Sequence, residues 1–146
     1  MSEIVLENKK ALASVIIPVY NRGSLVEEAI KSVYHQTYRP IECIVIDDGS
    51  TDNTVKTVKH LIDQNNDDVF EIKLVKQENS GAPSARNNGI KNASGEFIQF
   101  LDSDDILYPN KIKNQVSVLQ NQEKIDGVYG NWHHGTIKNH VLVKGE

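Results

Sequence analysis

The chain has 146 residues, 38% of them hydrophobic and 25% charged, with a formal net charge of −4. That length supports one domain with a sizeable core, and the lack of a basic excess argues against a nucleic-acid binder. The single cysteine, Cys43, excludes a disulfide framework and fits a reducing cytoplasm.

The elements alternate from the start. Ala13 to Val19 is a continuous β-branched run, the pattern of a strand buried on both faces of a parallel sheet. Asn21-Arg22-Gly23-Ser24 gives a turn with Ser24 as an N-cap, and Leu25, Ala29, Ile30, Val33 and Tyr34 at helical spacing predict a helix over 24–36, closed off by Pro40. Residues 41–46 form a second buried strand, with Cys43 as a buried thiol. Asp47-Asp48-Gly49-Ser50-Thr51-Asp52 is a loop carrying a cap signal, followed by a helix over 54–64. Residues 70–75 alternate and predict a strand nearer an edge. Ser80-Gly81-Ala82-Pro83 opens a helix that runs to about Asn92, with Gly95 as its stop. A strand over 96–101, the acidic turn Asp102 to Asp105 and a helix over 109–122 follow. Residues 127–132 and 136–143 are two further strand candidates, and Trp132 is expected in core or interface. Strand and helix alternating with short loops predict right-handed βαβ units and a parallel sheet. Ligands then sit at the carboxyl ends of the strands, where the polar loops 20–23, 47–50, 77–82 and 102–105 converge.

Three of these loops carry candidate chemistry. Asp102, Asp104 and Asp105 repel one another unless a cation or protons neutralise them. An Asp-x-Asp turn suits an open Mg²⁺ site completed by substrate phosphates; the alternative is a helix cap in a solvated acidic loop. Asp47 and Asp48 either accept from a base or ribose donor or simply build the turn, with Asp52 capping the helix. Gly81 to Gly89 offers helix-start amides to an anion with Arg86 beside it; alternatively, Arg86 is a solvated surface residue.

Other chemistries lack their residues. No Gly-x-Gly-x-x-Gly follows the first strand and no Walker A segment is present. His133 and His134 diverge on a strand, while His35, His60 and His140 are isolated. Ser24, Ser84 and Cys43 have no spaced partner for nucleophilic work. No apolar run approaches the about 18 residues that span a bilayer, and residues 1–10 are too polar for a signal peptide; the expected location is the cytoplasm.

Ser14-Val-Ile-Ile-Pro-Val-Tyr-Asn21, Ile44-Val-Ile-Asp-Asp-Gly-Ser-Thr-Asp-Asn-Thr54, Gly81-Ala-Pro-Ser-Ala-Arg-Asn-Asn-Gly89 and Phe97-Ile-Gln-Phe-Leu-Asp-Ser-Asp-Asp105 occur in that order. Together they resemble the inverting family 2 glycosyltransferases of the GT-A fold, over residues 12–132. The resemblance implies an α/β, Rossmann-like, mainly parallel sheet flanked by helices, forming one domain behind a polar segment 1–11. It also implies a nucleotide-diphosphate-sugar donor, often a UDP-sugar, bound with Mg²⁺ or Mn²⁺, and inverting transfer to a saccharide or lipid-linked acceptor. By position, Pro18, Tyr20 and Arg22 lie by the nucleoside, with Tyr20 stacking on the base. Asp48, with Asp47 beside it, contacts the base, and Arg86 sits near the donor. Asp102 and Ser103 sit by the ribose and diphosphate, and Asp104 is the metal ligand; Asp104 and Asp102 are thus the expected catalytic acids. The departure is the general base. After Asp105 the acids are Glu123, Asp126 and Glu146, and none forms the family's acid pair. The chain is therefore expected to stop before the acceptor-binding half and to transfer sugar poorly by itself, with membrane attachment left to a longer parent. Two other classes stay open: a non-catalytic nucleotide-sugar-binding module, and a nucleotidyltransferase, for which Tyr20-Asn21-Arg22-Gly23 is a poor version of the required Gly-rich basic loop.

Overall fold

A computed structural model describes residues 10–122, 124–131, 133, 135–138 and 141–144. Residues 1–9, Glu123, Trp132, His134, His140 and Glu146 lie outside the described residues. The elements are β1 (Ala13–Val19), α1 (Gly23–Tyr34), β2 (Ile41–Asp47), α2 (Thr54–Asn65), β3 (Phe70–Lys76), α3 (Ala82–Asn92), β4 (Phe97–Phe100), α4 (Lys111–Asn121), β5 (Gly135–Lys138) and β6 (Val141–Lys144).

The first four strands form one parallel sheet in the order β3-β2-β1-β4. Every residue of β1 and β2 is buried, as their unbroken apolar runs predict. Alternate side chains serve opposite faces. Val15, Ile17, Cys43 and Val45 pack with Val26, Ile30, Val58 and Ile112 of α1, α2 and α4, whereas Ile16, Ile44 and Ile46 pack with Ala85 of α3. The handedness of βαβ crossovers explains the split: the path β1 to β2 to β3 lays α1 and α2 on one face, and the return from β3 to β4 lays α3 on the other. The chain order therefore reverses between β1 and β4.

Pro18 stands in the central strand β1 without breaking the sheet. Ile16 gives its carbonyl to the amide of Leu101 on the β4 side, and Pro18, two residues on, faces the same way. β4 pairs only as far as Ile16, so the missing N–H of Pro18 falls where no partner strand needs it. On the other face, α3 lies so close to β1 that a Cβ on Gly89 would stand 2.3 Å from Cγ2 of Ile16.

Several boundaries differ from the sequence reading. Arg22, not Ser24, is the N-cap residue of α1: its carbonyl accepts from the amides of Leu25 and Val26, which leaves Ser24 inside the first turn. The candidate strand over 127–132 has no ladder among its described residues, 127–131. Its two glycines weaken strand formation, and Tyr129 is 95% exposed. The single strand expected over 136–143 is instead the antiparallel hairpin β5-β6, with Lys138 opposite Val141.

Glu42, hidden in an otherwise apolar run, is buried at 2% exposure. Its Oε1 accepts from Ser14 Oγ at 2.5 Å and from the amides of Ser94 and Gly95 at 2.6 and 3.2 Å, and its Oε2 accepts from Lys73 Nζ at 2.6 Å. Desolvation pushes the Glu42 carboxyl up, but the bonds from Lys73, Ser14 and Ser94 outweigh it and hold the group below the ordinary glutamate range. A depressed carboxyl contributes stability above its unfolded-state value, about 4.3, and that contribution disappears as pH falls through the lower folded value.

Two outcomes are expected in urea unfolding. Gly89→Ala lowers the midpoint at unchanged slope, costing about 1–3 kcal/mol through the overlap with Ile16. Glu42→Gln costs about 1–3 kcal/mol at pH 7, because buried donors lose a charged acceptor. The gap between wild type and Glu42→Gln narrows as pH falls below the unfolded-state value, about 4.3, and a gap independent of pH would refute the ionised role of Glu42.

Candidate active site

The four loops at the carboxyl end of the sheet and helix α3 are tied to one another in a closed ring. Loop one follows β1. Asn21 takes φ 50°, the left-handed region that asparagine tolerates. That twist lets its Oδ1 accept from the amides of Thr51 at 2.8 Å and Asp52 at 3.3 Å, while its own amide donates to Ser50 Oγ at 2.9 Å. The amide of Arg22 donates to Thr54 Oγ1 at 3.0 Å. A Cβ on Gly23 would stand 2.3 Å from Oδ1 of Asn53, so loops one and two meet closely. Tyr20 is 47% exposed beside them.

Loop two turns through Gly49 at φ 81°. Asp47 is buried and its Oδ1 accepts from the amide of Ser50 at 3.2 Å. Asp52 Oδ1 accepts from the amide of Thr54 at 2.9 Å, but the N-cap position of α2, expected for Asp52, is taken by Asn53. Asp48, 4% exposed, reaches into loop three. Its Oδ1 accepts from Gln77 Nε2 and the amide of Ser80, and its Oδ2 from the amide of Gly81, each at 2.8 Å. Desolvation pushes this carboxyl up, and the bonds from Ser80, Gln77 and Gly81 overcome it and leave the group below the usual aspartate range. The carboxylate of Asp48 thus sits on two amides just ahead of α3, those of Ser80 and Gly81.

Loop four is the acidic turn, closed by the amide of Asp105 donating to the carbonyl of Asp102 at 3.0 Å. Arg86 Nη2 of α3 meets Asp102 Oδ1 at 2.5 Å, and Arg22 Nη1 meets Asp104 Oδ2 at 2.6 Å. The second pair joins the loops after β1 and β4, across the reversal in strand order where α/β sheets bind ligands. Both carboxylates are about half exposed. Burial, then the charges of Asp104 and Asp102, push the Asp105 carboxyl up. Three carboxylates face two guanidiniums, so the turn keeps a negative excess.

The predicted residues fall into two groups. Arg22 with Asp104 and Arg86 with Asp102 come together at the exposed end of the sheet, and Tyr20 is half exposed on loop one. Pro18, Asp47, Asp48 and Ser103 are turned inward. Pro18 is enclosed within β1, and Asp48 has most of its acceptor capacity committed to loop three. Asn21 and Gln77 escaped the sequence reading as organisers. Asn21 was readable as a left-handed turn residue. Gln77, which donates to Asp48 and accepts from Asn88 Nδ2 at 2.9 Å, had no local signal. His133 rests edge-on against Tyr108. Among the described residues no helix is long and apolar enough to cross a membrane.

Comparison with known proteins gives the family and the fold. The chain is 43% identical over 122 residues to an uncharacterized glycosyltransferase of Rickettsia conorii, covering 83% of this chain and 19% of that protein. It is 41% identical over 133 residues to the UDP-Glc:alpha-D-GlcNAc-diphosphoundecaprenol beta-1,3-glucosyltransferase WfgD of Escherichia coli, covering 90% and 49%. This chain thus spans from a fifth to a half of the length of these relatives. Among solved structures, S. aureus TarS 1-349 in complex with UDP superposes with a TM-score of 0.68 at 30% identity, over 86% of this chain and 38% of that one. The mannosyltransferase PcManGT from Pyrobaculum calidifontis, in complex with GDP-Man and Mn²⁺, gives 0.64 at 30% identity, over 71% and 30%. These neighbours confirm the GT-A type of sheet. Residues 14–144 match the family Glycosyl transferase family 2, and the chain belongs to that family.

Proposed function

We propose that this chain forms the donor site of an enzyme that transfers a sugar from a nucleotide-diphosphate-sugar to an acceptor hydroxyl, with inversion. The observation that carries the reading is the acidic turn Asp102–Asp104, faced by Arg22 and Arg86 where the strand order reverses. Two relatives support the donor class: TarS has structures with UDP and with UDP-GlcNAc, and PcManGT one with GDP-Man and Mn²⁺. WfgD by its name uses UDP-Glc and a diphosphoundecaprenol-linked acceptor, which favours a saccharide carried on a lipid as acceptor here.

The donor set suits a hard divalent cation in an open site. No group of three or more cation-ligating side chains exists among the described residues, so a closed protein cage is not on offer. Two half-exposed carboxylates on one turn are what Mg²⁺ or Mn²⁺ uses when substrate phosphates complete its shell. Asp104 would hold it, with Asp102 beside it. When bound, such an ion neutralises charge on the departing diphosphate as a Lewis acid.

The remaining work belongs to side chains. Arg22 and Arg86 supply fork-shaped donors matched to phosphate oxygens and stabilise the charge that grows on the leaving group. Tyr20 presents a half-exposed ring at the mouth as the platform for the base. Asp48 and Asp47 act from below: by fixing loops two and three they shape the wall of the base subsite, with one acceptor position of Asp48 Oδ2 left for a base donor.

Calorimetry with UDP, GDP and CDP, each with and without Mn²⁺, tests this reading. At least one nucleotide binds more tightly with Mn²⁺, Asp104→Ala loses the Mn²⁺-dependent part, and Tyr20→Ala weakens binding by about 1–3 kcal/mol through lost stacking. Nucleotide binding that ignores Mn²⁺ throughout would sink the cation reading, and no binding at all would sink the donor site.

A further inference from the structure

We propose that Arg22 couples the two ligands of this site: it denies Asp104 to a cation that comes alone and releases it when a diphosphate arrives with the cation. The inference rests on the donor-site reading above and adds an order to it.

Arg22 is held at its backbone, and its exposed tip is held by Asp104 alone among the described contacts. Its amide is bound by Thr54 Oγ1 at 3.0 Å, and its carbonyl starts α1 by accepting from the amides of Leu25 and Val26. Asn21, the residue before it, is locked to loop two by its own amide and by its side chain. The guanidinium therefore springs from a fixed point on loop one and crosses 82 positions of sequence to Asp104. Both side chains are nearly half exposed, so the tip can leave its partner without disturbing packing.

Charge decides when it leaves. A cation that takes Asp104 without a nucleotide strands Arg22 beside a second positive charge, with its carboxylate partner gone. Like charges at such range repel. A diphosphate changes the balance, because its oxygens give the guanidinium a planar, fork-matched anion in exchange for Asp104. Arg22 thus opposes the cation alone and favours the cation with the diphosphate. The factor by which the diphosphate tightens the cation must equal the factor by which the cation tightens the diphosphate, and Arg22 contributes to that shared factor.

Arg86 does not serve the same purpose. It projects from within α3 and holds Asp102, so Asp104 depends on Arg22.

The experiment measures Mn²⁺ alone by the paramagnetic resonance signal of the free ion, and UDP and GDP by calorimetry with and without Mn²⁺, in wild type, Arg22→Gln, Arg22→Lys and Asp104→Asn. Thermal melts confirm folding, which Arg22→Gln preserves because the cap is made by main-chain atoms. Arg22→Gln binds Mn²⁺ alone about fivefold more tightly, the size of one exposed ion pair, and its coupling factor falls by about as much. Arg22→Lys keeps the charge but not the fork, and falls between. An unchanged Mn²⁺ affinity or an unchanged coupling factor in Arg22→Gln overturns the inference. If Asp104→Asn abolishes the Mn²⁺ dependence of nucleotide binding while Arg22→Gln changes nothing, the donor site stands and the coupling falls. If nucleotide binding in Asp104→Asn still depends on Mn²⁺, the placement of the cation at Asp104 falls and takes the coupling with it.

Discussion

β1 and β2 are buried on both faces, and that enclosure organises everything polar in this chain. A strand covered on both sides has no solvated face on which to carry functional groups. Polar residues are pushed to its ends, and the βαβ handedness turns every carboxyl end the same way. The loops are then tied to their neighbours: loop one to loop two through Asn21, two to three through Asp48, helix α3 to loop four through Arg86 and loop four back to loop one through Arg22. The ties differ in kind. Those made by Asn21 and Asp48 run to backbone amides, and the Asp48 carboxylate is buried, whereas the two arginine contacts are exposed ion pairs of small individual worth. The ring is therefore firm on one side and able to open on the other, and the side that opens is the one with the acidic turn.

The two ends of the sheet handle charge differently. At the amino end Glu42 is neutralised by Lys73 and hydroxyl and amide donors inside the protein, a closed arrangement that supports packing. At the carboxyl end the acids of loop four outnumber the arginines facing them and stay in reach of water. Uncompensated charge is unfavourable for folding but useful for holding a ligand of opposite sign. The contrast separates a structural acid from functional ones more clearly than residue type does.

Much of this was legible in the residues. The double-sided burial of Ala13–Val19 and the strand runs at 41–46 and 70–75 gave the sheet, and the polar loops after them gave its working edge. The first and last of these loops were expected on one edge, and Arg22 does meet Asp104 there, as Arg86 meets Asp102. What escaped depends on long-range pairing. The ties of Asp48 to loop three were hidden, because nothing local shows that Ser80 and Gly81 bring their amides to it. Glu42 was swallowed by an apolar run, since its partners stand on β1, β3 and the turn after α3. Ser24 has the chemistry of a cap, yet the pinning of Arg22 by Thr54 moves the helix start back. Residues 127–131 have strand-like composition but no described strand beside them to pair with.

The outer side of β4 carries a consequence of a different kind. No described strand pairs with it beyond β1, and Ile98 and Phe100 stand 42% and 41% exposed along it, beside a groove of about 980 Å³ that α4 and residues 126–131 border. An unpaired edge offers its amides and carbonyls to any extended chain, and exposed branched and aromatic side chains make that offer adhesive. That margin of the described sheet is thus one place where its backbone is left to be paired by another extended segment.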